Sequence, residues 1–186
     1  MSLIGVKVQD IVPADAKVVR KEKSNIPDSS GNPTGYVKVD EFVDLDGDDQ
    51  ADFKRVTVYS PSGKQLGGQF FVSQGGKGAH AFDLFGDQNA DGVIDLHTFD
   101  VESKGTNDVP WLTESYGYID RNFDGMTDRR YRYAGGADTS SEWVLEDTDF
   151  DGTYDAETRY TQLPSQENPS GTSTTRKVAI DVEVME

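Results

Sequence analysis

Ser115-Tyr116-Gly117-Tyr118-Ile119, then Asp120-Arg121-Asn122-Phe123-Asp124-Gly125-Met126-Thr127-Asp128, then Arg129-Arg130-Tyr131-Arg132-Tyr133: this run of sequence decides the fold. Its outer segments largely alternate aromatic and polar residues, and a period of two belongs to a strand whose two faces meet different surroundings. Its middle segment is rich in Asp, Asn and Gly, which favour turns because they cap nearby backbone and tolerate left-handed conformations. Strand, acidic turn, strand is a β-hairpin. The same order returns where Glu142-Trp143-Val144-Leu145 and Ala156-Glu157-Thr158-Arg159-Tyr160 bracket a second acidic turn, and where Phe53 to Tyr59 follows another.

The acidic turn is a repeat in a nine-residue frame: Asp-x-Asp/Asn-x-Asp, a turn residue, two further positions, and a fourth Asp. The first copy is Asp44, Asp46, Asp48, Asp52; the second Asp87, Asn89, Asp91, Asp95; the third Asp120, Asn122, Asp124, Asp128; the fourth Asp147, Asp149, Asp151, Asp155. Calcium asks for six to eight hard oxygen ligands, and side chains at positions one, three, five and nine with a carbonyl near seven can supply them. Position six must turn sharply, and Gly92, Gly125 and Gly152 meet that demand. In the first copy Asp49 stands there, with Gly47 at position four, so this loop requires an Asp in a left-handed or adjusted conformation and is expected to be the weakest or most irregular. Packing three or four carboxylates into each of four loops is repulsive unless a cation neutralises them. Two to four bound calcium ions are expected.

The loops look like the start of an EF-hand loop, but position twelve holds Arg55, Thr98, Tyr131 and Thr158 where an EF-hand has Glu. Strand, Asp-x-Asp/Asn-x-Asp-Gly-x-x-Asp, strand is similar to the calcium-binding hairpins of FG-GAP and VCBS repeats, and more loosely to thrombospondin type 3 loops. The resemblance covers four short windows. It implies calcium ligands at the sixteen residues named above and an extracellular or cell-surface setting. All four loops fit between Asp44 and Asp155, a shorter span than the repeats of an FG-GAP propeller, so a full propeller is not expected.

Composition narrows the alternatives. The chain has 186 residues, 34 acidic against 18 basic, a formal charge of -16 and no cysteine. One domain spanning 1–186 is expected from the length. The negative charge disfavours nucleic acid and anionic membranes, and no stretch approaches a membrane span. The chain as given shows no signal peptide, which suits a cytoplasmic protein, a virion component or a processed chain equally. His80 and His97 are not spaced as a metal pair, and His97 reads as a structural residue of the strand leaving the second loop. Gly75-Gly76-Lys77-Gly78 lacks the rest of a phosphate loop. Two other functional classes stand beside the calcium reading: a carbohydrate-active enzyme using a carboxylate pair, and an acidic decoy or binder of a basic partner.

The fold expected is all-β, mainly antiparallel, a sandwich or distorted barrel built from hairpins with the acidic loops toward its edges. Ile4 to Val12 and Lys177 to Val184 alternate apolar and polar residues and read as terminal strands. Residues 21–35, with Pro27, Gly31 and Pro33, read as a loop, and 162–175 as a flexible segment. Tyr116, Tyr118, Tyr131, Tyr133 and Trp143 are expected on a core face. The function expected is a calcium-binding structural or adhesive module whose partner is a protein or glycan surface.

Overall fold

The structure is a computed structural model that describes residues 1–74, 82–103, 112–135, 140–162 and 177–184. It is all-β and antiparallel. After one helical turn, α1 (Val8–Ile11), come β1 (Lys17–Pro27), β2 (Pro33–Asp44), β3 (Phe53–Tyr59), β4 (Gln65–Ser73), β5 (Phe82–Gly86), β6 (Leu96–Ser103), β7 (Leu112–Ile119), β8 (Arg129–Gly135), β9 (Ser140–Glu146), β10 (Ala156–Gln162) and β11 (Lys177–Val184). These strands form one sheet of 11 strands in strict sequence order. Antiparallel neighbours in sequence order are the simplest answer to a chain of hairpins, because each closes its ladder locally. Among the described residues no helix is long and apolar enough to cross a membrane.

A meander of this kind sends successive connections to opposite ends of the sheet. The first acidic loop joins β2 to β3 and so lies at one end. The second, third and fourth join β5 to β6, β7 to β8 and β9 to β10, and line up at the other.

The hydrophobic core sits on one face, near the N-terminal half of the sheet. Val43, Phe71 and Phe85 of the sheet and Ile94 of the second loop are buried together with Val12, and Leu3, Ile4, Val6, Val8 and Ile11 pack against them. Phe71 and Phe85 stack at 4.9 Å, and Phe53 meets Phe85 edge-on at 5.5 Å. The segment before β1 is therefore a second layer over the sheet.

That segment departs from the strand expected at Ile4 to Val12. Its apolar residues follow the tertiary surface, with Lys7 bridging Val93 and a helical turn closed by Val12 N–H on the Val8 carbonyl at 2.8 Å. Gly5, at φ +79, brings the backbone so close to the third loop that a Cβ there would lie 2.8 Å from the Gly125 oxygen.

Residues 21–35, expected as a loop, are mostly strand: β1 runs to Pro27 and β2 begins at Pro33. The turn itself is only 28–32, capped by Asp28, whose carboxylate takes the N–H groups of Ser30 and Asn32 at 2.9 and 2.8 Å. Lys21-Glu22-Lys23-Ser24-Asn25 reads as loop by polarity, yet charged residues are what an outermost strand carries to prevent further pairing. Lys177 to Val184 does form the terminal strand β11, paired with β10. Residues 163–175 of the expected flexible segment, His80 and Gly75-Gly76-Lys77-Gly78 lie outside the described residues.

Candidate metal loops

Each acidic loop is held by its own carboxylates. The position-one Asp accepts from the backbone N–H of positions four and six in every copy. Asp44 takes Gly47 and Asp49 (2.7 and 3.0 Å), and Asp87 takes Ala90 and Gly92 (2.7 and 2.9 Å). Asp120 takes Phe123 and Gly125, and Asp147 takes Phe150 and Gly152, all four at 2.7 to 2.8 Å. The position-five Asp accepts from position seven at 2.8 Å in all four loops. The position-nine Asp reaches back to position two: Asp52 to Leu45 (2.7 Å), Asp95 to Gln88 (2.9 Å), Asp128 to Arg121 (2.5 Å) and Asp155 to Thr148 (2.7 Å). These bonds satisfy turn amides that no strand partner can reach.

The same frame dictates the backbone. Positions four and six are left-handed in every loop: Gly47 and Asp49 (φ +82 and +67), Ala90 and Gly92 (+67 and +87), Phe123 and Gly125 (+62 and +89), Phe150 and Gly152 (+63 and +89). Asp49 is indeed left-handed, as its place in the frame requires. The first loop differs only in which of the two positions carries the glycine. The demand at position four was missed in the sequence, although Gly47 was its one visible sign.

Burial separates the frame positions. The position-one carboxylates Asp44, Asp87, Asp120 and Asp147 are all buried, as are Asp95 and Asp128 at position nine. Positions three and five are exposed in every loop. Each site is thus a buried carboxylate at the base with two solvent-facing oxygen donors above it.

Three loops bring carboxylate oxygens within 4.8 Å of one another: Asp44, Asp46 and Asp48; Asp120, Asp124 and Asp128; Asp147, Asp149 and Asp155. Oxygens bound to one calcium at 2.3 to 2.6 Å stand at most about 5 Å apart, so the spacing fits. A carboxylate oxygen already accepting one N–H keeps a lone pair for a cation. Among the described residues the second loop gathers no such carboxylate trio. Asn89 at its third position donates to Asp91 at 2.9 Å, but Asn122 does the same to Asp124 in the third loop, so the asparagine alone does not separate the two.

The electrostatics differ by position. Partial desolvation, then the charges of Asp151, Asp155 and Asp147, raises the Asp149 carboxyl above its ordinary range. Burial raises Asp95 in spite of its bonds from Gln88. Asp155 is held low by the backbone N–H and hydroxyl of Thr148. For Asp44, desolvation pushes upward but is outweighed by the N–H groups of Gly47 and Asp49 and by Lys17, and the carboxyl ends low. Lys17, 3.5 Å from Asp44 and in contact with Asp49, gives the first loop a resident cation that the other loops lack among the described residues.

The loops at the shared end are joined. Asp120 N–H bonds the Asp95 carbonyl at 2.9 Å, and Asp147 N–H bonds the Asp128 carbonyl at 2.8 Å, so the last residue of one frame holds the first of the next. In the first loop the Asp52 carbonyl instead accepts from Gln74 at 2.8 Å.

His97 is buried. Its Nδ1 accepts the Leu3 N–H at 3.2 Å, so Nε2 carries the proton and donates to Asp83 at 3.1 Å. It pins the N-terminal layer to the sheet. The five aromatics expected on a core face lie on both faces and are only partly covered, because this half of the sheet has no second layer among the described residues. Tyr116 and Tyr118 share a face with Arg130, Arg132 and Trp143, while Tyr131 and Tyr133 occupy the other. No family model matches the chain, and no curated protein or solved structure matches it either.

Proposed function

We propose that this protein is a calcium-binding structural or adhesive module in which bound ions stiffen β-hairpin loops. The observation that carries the reading is the convergence of three carboxylates within 4.8 Å in each of the first, third and fourth loops. The donors are all hard oxygens, the kind calcium prefers over transition metals. Asp44, Asp46 and Asp48, with the third- and fourth-loop trios, would hold the ions, and the second loop would be the poorest site. An ion supplies positive charge between carboxylates that otherwise repel. The chain's own groups do the rest: position one anchors the turn from below, and positions three and five close over the top.

Four divalent ions would halve the formal charge of -16 and reduce self-repulsion in the folded state. Such sites fill outside a low-calcium cytosol, which favours a surface or extracellular setting, with a protein or glycan as partner. At free calcium ten times the dissociation constant, each site adds about 1.4 kcal/mol by mass action.

The test is thermal unfolding of EDTA-stripped protein with and without calcium, with magnesium as control and calorimetric counting of sites. The expected outcome is a calcium-specific rise in midpoint with three strong sites. An unchanged midpoint would make the loops carboxylate-capped turns and nothing more.

A further inference from the structure

Position four of the frame needs a left-handed residue, and Gly47 and Ala90 fill it in the first two loops. In the third and fourth loops it is phenylalanine, at φ +62 and +63, a conformation that is strained for a bulky side chain. Phe123 and Phe150 are 45% and 42% exposed. Met126, 48% exposed, reaches from the third loop to the fourth, since a Cβ at Gly152 would stand 3.5 Å from its methyl carbon. The fold does not ask for these residues. An apolar patch rimmed by the exposed Asp124, Asp149 and Asp151 therefore projects from the end of the sheet.

A complementary surface lies on the same chain. A concavity of about 470 Å³ opens on the sheet face between Tyr116, Arg130, Arg132, Trp143 and Arg159. Arg130 sits 5.5 Å from the Tyr118 ring and 5.6 Å from the Trp143 ring. Among the described residues no carboxylate pairs with Arg130, and its buried Nε has no acceptor. Arg132 and Arg159 each hold one carboxylate, Glu114 and Glu157, and keep 47% and 58% of their side-chain surface open. Glu142 also lines the concavity, so three guanidinium groups stand against one lining carboxylate, and in a chain of charge -16 the surface is locally basic and aromatic. The two phenylalanine tips stand two strand spacings apart, about 10 Å, and the concavity spans β7 to β10, about 14 Å.

We propose that the Phe123 and Phe150 tips of one molecule dock into the arginine and tryptophan concavity of a second copy. The contact is heterologous, so each molecule keeps a free tip and a free concavity and association continues into open chains. Apolar rings enter between aromatic walls while the flanking aspartates meet guanidinium groups. The phenylalanine tips are held by the position-one carboxylates with or without an ion, but the flanking aspartates are donors of the calcium reading, so on that reading the contact is tighter in EDTA than in calcium.

The test is analytical ultracentrifugation of the full chain from micromolar to millimolar concentration, in EDTA and in calcium. The wild type is expected to form a concentration-dependent series of oligomers. Phe123→Gly with Phe150→Gly reproduces the glycine of the first loop and relieves backbone strain. It should keep the fold by circular dichroism yet weaken association about a hundredfold. Arg132→Glu with Arg159→Glu should also be monomeric, and mixing it with the glycine variant should give one-to-one dimers, because each supplies the surface the other lacks. A monomeric wild type, or a mixture that stays monomeric, overturns the proposal. Binding of the wild type to phosphatidylserine vesicles, lost in the glycine variant, would assign the tips to lipid and overturn it equally.

Discussion

Asp147 and Asp149 stand two residues apart and carry opposite loads. Asp147 is 1% exposed and accepts two turn amides, so Asp147→Asn turns an NH₂ group toward an N–H and should cost about 1 to 3 kcal/mol with or without calcium. Asp149 is exposed, and its charge is opposed by Asp151, Asp155 and Asp147. Asp149→Asn should therefore raise the unfolding midpoint in EDTA while shrinking the rise that calcium produces. Calorimetry of both variants in both buffers checks the pair, and a fall in the EDTA midpoint for Asp149→Asn would show that repulsion is not what this position contributes. The sixteen frame residues stood out in the sequence because Asp and Asn recur there at one fixed spacing, and the structure brings nine of them together in three carboxylate trios. The hydrogen bonding at position one and the left-handed demand at position four did not, since a backbone angle leaves a mark only where glycine is chosen, and Ala90, Phe123 and Phe150 hide it.

At the scale of elements, the seam β1, β2, β3 is held on one face by Glu41. It receives Lys21 at 2.8 Å on one oxygen and Arg55 at 2.6 and 2.9 Å on the other. The hydrogen bond from Lys21, with those from Arg55, holds the Glu41 carboxyl below its usual range despite its burial. A depressed folded pKa means stability that is complete above the ordinary glutamate value near 4.3 and is lost as pH falls through the folded value. Glu41→Gln should cost about 1 kcal/mol at neutral pH, mostly through the Arg55 contact because the exposed Lys21 is screened, and the difference from wild type should vanish on acidification. Urea midpoints from neutral pH to pH 3 measure this; a difference that persists at the acid end would point to packing instead. This seam also shows why β1 escaped a reading by composition. Its Lys21 and Lys23 resemble a solvated loop, and only the ladder with β2, where they stand opposite Glu41 and Val39 far off in sequence, makes them strand residues. The hairpins around the loops were legible because their period of two is local, whereas the layer at 1–16 takes its shape from the Val43, Phe71 and Phe85 surface it covers.

For the molecule as a whole, topology divides the four loops into one and three. The meander sets the first loop at one end, where the Asp52 carbonyl is bonded to Gln74, and lines the others along the opposite end with position nine of each bonded to position one of the next. On the calcium reading, an ion that fixes Asp128 also fixes the carbonyl that orients Asp147, so the third and fourth loops share part of the ordering cost and fill cooperatively. Among the described residues no backbone bond of this kind links the first loop to them. Asp124→Asn, which removes one exposed donor of the third loop and leaves its position-one bonds in place, should weaken calcium binding at the fourth loop about fivefold, a coupling of about 1 kcal/mol, and leave the first loop unchanged. An NMR titration that follows the Gly152 and Gly47 amides separates the two: Gly152 should shift to higher calcium and Gly47 should not. If both midpoints move together, the change is global electrostatics of a strongly negative chain; if neither moves, the bonded row transmits nothing and the loops are independent sites on a common scaffold.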